Sequence, residues 1–85
     1  DEEEKELLDR KLNIIIEKIE NKPTIKFTYF IPDLKKKGGK YTSIIGIIKK
    51  VDLYNKKIIL EDKKEILLEN IIDVESDILN KEKLE

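Results

Sequence analysis

The sequence contains no cysteine, no histidine, no tryptophan and no methionine. Each absence removes a class of chemistry. Without cysteine no disulfide can staple the fold, and a reducing compartment is the simple expectation. Without histidine or cysteine, neither a Ser-His-Asp nor a Cys-His nucleophile can be assembled, and a zinc site lacks its usual ligands. Ser43 and Ser76 have no evident base. No apolar run approaches the ~20 residues of a membrane span, and no signal-peptide pattern opens the chain. A soluble, cytoplasmic protein is expected. Asp1 stands where a methionine would, so a few native residues are expected to precede it.

Glycine and proline are also scarce, at three and two. The few breakers therefore punctuate the chain clearly. Upstream of Pro23, Leu8, Leu12, Ile15 and Ile19 recur at helical spacing with Ile16 beside them, which predicts a helix from Asp1 to about Glu20. Asp1 to Glu4 put negative charge where the helix dipole favours it, and Asn21 and Pro23 supply the stop. Thr24 to Ile31 alternates, with Ile25, Phe27, Tyr29 and Ile31 on one parity, and Pro32 ends that strand. Asp33 to Lys40 is expected to be a flexible loop, because Gly38-Gly39 and three successive lysines oppose regular structure.

Thr42 to Leu60 is the stretch around which the rest is organised. Thr42–Asp52 is rich in isoleucine and reads as one long strand. Leu53–Lys56 is a turn with Asn55 its best candidate for positive φ, and Ile58, Ile59 and Leu60 return as the second arm of a hairpin. Burying both Ile48 and Val51, which lie on opposite parities, requires a bend or bulge at Lys49–Lys50. Gly46 is the kind of residue that accompanies such a bend. After a turn at Glu61–Lys64, a short strand shows Ile66 and Leu68. Glu69–Ile71 reads as a tight helical turn, and Ile72–Glu75 as a last strand showing Ile72 and Val74. Asp77 to Glu85 continues as a helix or frays. The expected domain is thus residues 1–85, with a helix over 1–21, a β unit over 24–76 and a tail over 77–85. One helix, five strongly curved antiparallel strands and a helical turn before the fifth describe an Sm-like or SH3-like small barrel, whose closure hides edges an open sheet would expose. A chain this short buries only about 60–65% of its unfolded surface. Its expected core is Ile25, Phe27, Ile48, Val51, Ile58, Leu60, Ile66, Leu68, Ile71 and Val74, capped by Leu12, Ile15 and Ile19.

The net charge of −1 conceals a segregation. Residues 1–21 hold eight acids and four bases. Residues 22–64 hold twelve lysines against Asp33, Asp52, Glu61 and Asp62. Residues 65–85 hold seven acids and two lysines. A basic middle between acidic ends suits nucleic acid or an acidic partner, or is a solubilised surface. The candidate binding residues are Lys35, Lys36, Lys37, Lys40, Lys49 and Lys50, with Lys56 and Lys57 near them. Their ammonium groups would meet phosphates or a partner's acids, and Tyr41 or Tyr54 would stack on bases. The plainer reading makes the two tyrosines hairpin-end aromatics that half-cover the core. The run GGKYT (Gly38–Thr42) fails the phosphate-loop pattern twice, since Leu34 stands where its first glycine is required and Tyr41 follows Lys40. Asp73 and Glu75 alternate on a strand and read as solvated. No catalytic residue, metal or cofactor is expected.

Four runs resemble a known family: IKFTYF (Ile25–Phe30), GIIKKVD (Gly46–Asp52), NKKIIL (Asn55–Leu60) and ILLENIIDVE (Ile66–Glu75). Their order and spacing are similar to those of the YolD-like proteins of Gram-positive bacteria and their phages. That family shows an aromatic FTY strand, a G-x-I-x-x-I-D strand and a closing F-x-D-I-x-D-I/V. Val51 stands here for an isoleucine, Leu68 for an aromatic residue and Asn70 for an aspartate, and the match covers about Leu12 to Glu75. The resemblance implies an Sm-like fold and a UmuD-like accessory role to Y-family error-prone DNA polymerases in DNA damage tolerance and the SOS response. Family members carry Lys-Trp and Leu-Pro-Glu-His motifs in a longer N-terminal segment, and this chain lacks both tryptophan and histidine. A polymerase contact made through those motifs does not carry over. The chain resembles the WYL ligand-sensing domain more faintly and lacks its Trp-Tyr-Leu signature.

Two functions therefore stand open. A protein-interaction module, with a Y-family polymerase as one partner, is the favoured expectation. A nucleic-acid or nucleotide binder is the alternative, and a phage origin would add a counter-defence role. Self-association is expected through the edge of Ile72–Glu75, although Asp73 and Glu75 discourage it.

Overall fold

Acids at one end and an apolar stripe decide the first element. Asp1 is the N-cap of helix α1 (Glu2–Glu17): its carboxylate accepts the Glu4 N–H at 3.0 Å, and Glu2, Glu3 and Glu4 occupy the first turn. The computed structural model describes residues 1–83. The helix ends three residues before Glu20, and Ile19–Asn21 tighten into a 3-10 turn. Lys22, not Asn21, takes the left-handed conformation that turns the chain (φ 51°).

The strands are β1 (Ile25–Pro32), β2 (Gly39–Gly46), β3 (Ile48–Asp52), β4 (Lys57–Leu60), β5 (Glu65–Leu67) and β6 (Ile71–Glu75), followed by helix α2 (Asp77–Lys83). They form two three-stranded antiparallel sheets, ordered β2-β1-β6 and β3-β4-β5. The protein is mostly β with an N-terminal helix, as its sequence predicts. Leu84 and Glu85, at the end of the expected tail, lie outside the described residues.

Six strands replace the expected five because the long strand divides at Ile47. Ile25 pairs with Gly46, after which the Ile47 carbonyl accepts the Glu61 N–H at 2.9 Å. The chain leaves one sheet and joins the other within two residues. Gly46 permits this by close approach: a Cβ there would lie 3.0 Å from Cδ1 of the fully buried Leu60. The bulge expected at Lys49–Lys50 is present, since Ile48 faces Leu60 while Lys50 faces Ile59. It lets Ile48 be buried and Val51 half-buried on one side of the ladder.

The sheets are not closed into a barrel by hydrogen bonds. Among the described residues no ladder joins β5 to β6, because Leu68–Asn70 wind into a 3-10 turn whose polar groups bond elsewhere. The Leu68 N–H reaches the Lys56 carbonyl at 2.9 Å, and the Ile71 N–H returns to Leu68.

Other local expectations are corrected. The first loop is shorter than Asp33–Lys40, because Gly39 and Lys40 already pair with Pro32 and Ile31. Positive φ in the second turn falls on Lys56 (55°) rather than Asn55. Ile72 does not share the core with Val74. A register shift opposite Thr28–Tyr29 leaves Ile72 unpaired and 48% exposed, so Ile71 and Val74 are the buried pair.

One cluster of side chains fills the space between the sheets and under α1. Ile15, Ile25, Phe27, Leu60 and Val74 are wholly buried, with Ile48, Ile58, Ile66 and Ile71 nearly so. Val51, Leu68, Leu12 and Ile19 pack against this cluster half-buried. Leu79 of α2 joins the core, an addition to the expected list. Lys11 of α1 meets Asp73 of β6 at 2.8 Å. No helix among the described residues is long and apolar enough to cross a membrane.

Two stability outcomes follow from this packing. Ile58→Ala removes a fully packed side chain and is expected to cost about 2–5 kcal/mol. That is a large share of the ~5–15 kcal/mol that holds a domain, and a thermal melt within about a degree or two of wild type would remove Ile58 from the core. Gly39→Ala is expected to open the β1–β2 hairpin, because its Cβ would meet the Ile31 carbonyl oxygen and Phe30 Cζ. Amide exchange of Phe30–Thr42 reads this, and unchanged protection there would refute the close approach.

Candidate functional site

The eight residues proposed from sequence fall into two groups at opposite ends of the β2–β3 strand. Lys35, Lys36 and Lys37 lie on the loop between β1 and β2, and Lys40 and Tyr41 begin β2. Lys49 and Lys50 lie on β3, and Tyr54 on the turn that follows it. All six lysines are exposed and none forms an ion pair among the described residues. The fold gathers five of the eight residues around the first hairpin and leaves three at the far end.

The first hairpin is more ordered than a run of three lysines suggests. Asp33 Oδ1 accepts the Lys35 N–H at 2.9 Å and the Lys36 N–H at 3.3 Å, and the Asp33 N–H donates to the Gly38 carbonyl at 3.0 Å. One carboxylate thus folds the loop over itself and aims the lysine side chains outward. Leu34 at its tip is 96% exposed. Tyr41 does not half-cover the core: it is 68% exposed and stands edge-on to its cross-strand neighbour Phe30, with ring centroids 5.3 Å apart. The outer face continues through Thr28 and Ser43, whose hydroxyls lie 3.1 Å apart, to Ile45, which is 68% exposed.

Tyr54 also stands clear of the core, at 93% exposure, beside the exposed Leu53. Their turn is held by Asp52, whose carboxylate accepts the Asn55 backbone N–H at 2.9 Å and the Asn55 side-chain amide at 2.8 Å. These two bonds, the backbone one foremost, hold the Asp52 carboxyl below the ordinary 3.8, with Lys50 and Lys57 adding smaller attractions against a slight desolvation. Lys57 is pushed up from 10.5, chiefly by its 2.8 Å hydrogen bond to Glu65 on β5. Lys56 and Lys57 are therefore not equivalent to the loop lysines: one takes the left-handed turn position and the other is tied to Glu65.

Sequence reasoning singled out Tyr41 but missed that Ser43 and Ile45 continue its row. The signal was present in the alternation of YTSIIG, but the run was read only as part of one long isoleucine-rich strand. A cleft of about 420 Å³ opens between Ile45 and Lys26 on this face and Leu79 and Asn80 of α2. Its mixed lining, with Lys11 and Glu75, brings no catalytic constellation together.

Asp52 gives a pH outcome with a definite sign. Its folded pKa is lowered, so its contribution to stability is complete above the unfolded value near 3.9 and is lost as pH falls through the lower folded value. Carboxyl titration by NMR is expected to place Asp52 below the ordinary aspartate value, and Asn55→Ala to return it upward. An unmoved Asp52 in that variant would refute the assignment. No family model, no curated protein and no solved structure matches this chain.

Proposed function

We propose that this protein is a non-enzymatic, cytoplasmic protein-interaction module of the Sm-like small-barrel type. Its role resembles that of the YolD-like accessories linked to Y-family error-prone DNA polymerases. The observation that carries the reading is the separation of the basic residues. A nucleic-acid groove needs lysines and stacking rings along one track. Here Lys35, Lys36, Lys37, Lys40 and Tyr41 lie at one end of a long strand and Lys49, Lys50 and Tyr54 at the other. The apolar surface instead runs along β2, an edge strand paired on one side only among the described residues, through Tyr41 and Ile45 with Leu34 at the hairpin tip, as suits a polypeptide partner.

The barrel part of the reading rests on continuity. β2 and β3 are separated by Ile47 alone, so five stretches of chain supply the six strands. A 3-10 turn precedes the last of them, in the place the small-barrel pattern requires.

Nucleic-acid binding is the second reading, and the first hairpin favours it: three successive exposed lysines, with no ion pair among the described residues, lie close in sequence to an exposed tyrosine. Salt separates the two. For a protein-interaction module, oligonucleotides are expected to bind hardly at all near 50 mM salt. A nucleic-acid binder would show log affinity falling steeply with log salt. It would also lose affinity for every sequence about equally when Lys35, Lys36 and Lys37 become glutamine. Tight binding of an oligonucleotide at 150 mM salt, abolished by that triple substitution, would overturn the proposal.

A further inference from the structure

We propose that two copies of this chain pair antiparallel along the free edge of β2, with Thr42 of each on the two-fold axis. The inference goes beyond the reading above and holds whether the lysines serve a protein or a nucleic acid.

The free edge can be identified residue by residue. The Asp33 N–H bonds to the Gly38 carbonyl, which makes that pair a hydrogen-bonded one. In an antiparallel ladder such pairs alternate with pairs whose polar groups point away from each other. With the observed register, Pro32–Gly39, Phe30–Tyr41, Thr28–Ser43 and Lys26–Ile45 are then the outward pairs. Proline has no N–H to donate, which fits its place in that series. The assignment is checked at the other end. Ile47 has the same parity as Gly39, Tyr41, Ser43 and Ile45, and its carbonyl points to β4, where it accepts the Glu61 N–H. The edge used by β4 beyond Gly46 is therefore the edge left open from Gly39 to Ile45. Among the described residues β2 pairs only with β1.

The other edges are guarded and this one is not. β6 carries the bulge at Ile72 and the charges Asp73 and Glu75, and Asp73 is bridged to Lys11 of α1. β3 has its bulge and two lysines, and β5 is three residues long. From Tyr41 to Ile45, β2 has no charge, no proline and no bulge, the devices by which edges avoid pairing. This moves the expected self-association from Ile72–Glu75 to β2.

The occupant follows from the ends of the edge. Lys35, Lys36 and Lys37 lie beyond one end, and Glu61, bonded to Ile47, marks the other. Antiparallel pairing of two copies brings the lysine loop of each against Glu61 of its partner. With Thr42 on the axis, Gly39 faces Ile45 and Tyr41 faces Ser43, so all four outward residues are satisfied at once. Shifting the register by two residues in either direction leaves some unpaired or drives the lysine loop into the Glu61–Lys64 turn. Lys63 and Lys64 share that turn, and Lys22 already lies 3.5 Å from Glu61, but that contact is exposed and long, Lys64 leans to Asp62 at 3.9 Å, and Glu61 is the acid adjoining the edge.

Sedimentation velocity of the full chain from about 10 μM to about 1 mM suits an interface this small. A concentration-dependent dimer is expected, together with slowed exchange of the Tyr41, Ser43 and Ile45 amides at high concentration. Thr42 and Ile44, already bonded to β1, should not change. Ser43→Pro removes an outward N–H without touching the β1 ladder and should abolish the dimer; Ile45→Lys does so by edge charge if the proline variant fails to fold. The triple variant Lys35→Glu, Lys36→Glu, Lys37→Glu and the single variant Glu61→Lys should each weaken self-association about tenfold or more. Mixed, they should form a heterodimer, because both contacts then become complementary. A wild type that stays monomeric at 1 mM overturns the proposal. So does a dimer that both edge variants preserve, or a monomer whose three odd-numbered amides are protected only by an added acidic peptide.

Discussion

One strand has to serve two sheets, and most of the structure depends on how it does so. From Gly39 to Gly46 the chain pairs with β1, and from Ile47 onward with β4, on its opposite edge. The crossing lies directly over Leu60, where a Cβ would come within 3.0 Å of Leu60 Cδ1 and press on that leucine. Because one strand belongs to both sheets, their inner faces share a single cluster, and Phe27 and Val74 of one sheet are buried with Ile58, Leu60 and Ile66 of the other. Loss of either arm would expose the same core. Among the described residues there is no second buried cluster to fall back on.

Helix α1 contributes chiefly as a lid. Ile15 is its one fully buried side chain, and Leu8, Leu12 and Ile19 shield the cluster at partial exposure. The Lys11–Asp73 contact fixes the helix against β6 but lies near the surface, where an ion pair adds little beyond orientation. Polar groups do their work in the turns instead. Asp1, Asp33, Asp52 and Asp62 each accept backbone N–H groups two or three residues ahead, so four of the acids hold chain reversals or a helix end. This limits what the acidic residues are free to do elsewhere.

Those turns also set the surface. Asp33 folds the lysine loop into a defined hairpin tip, and Asp52 holds the turn that displays Leu53 and Tyr54. The first basic group is therefore placed by an acid and Lys49 and Lys50 by the β3 ladder, at the ends of a strand whose middle is uncharged. The proposed reading as a protein-interaction module rests on that arrangement.

The sequence by itself determined the element types, their order and most of the core. Helical spacing from Leu8 to Ile19, alternation in β1, and the opposite parities of Ile48 and Val51 are local patterns, and local patterns are set by backbone geometry. The Lys49 bulge was legible for that reason. The tertiary structure decided what depends on partners distant in the chain. The division at Ile47 arises where Gly46 meets Leu60 and Glu61, and neither neighbour is visible in the strand itself. Ile72 is turned outward by a register shift against β1, and Leu79 is buried because α2 folds back onto the core. The candidate lysines and tyrosines were legible as types, but not their separation into two groups. The free edge of β2 was hidden altogether, because alternation tells which face a side chain takes and says nothing of which backbone groups lack a neighbour.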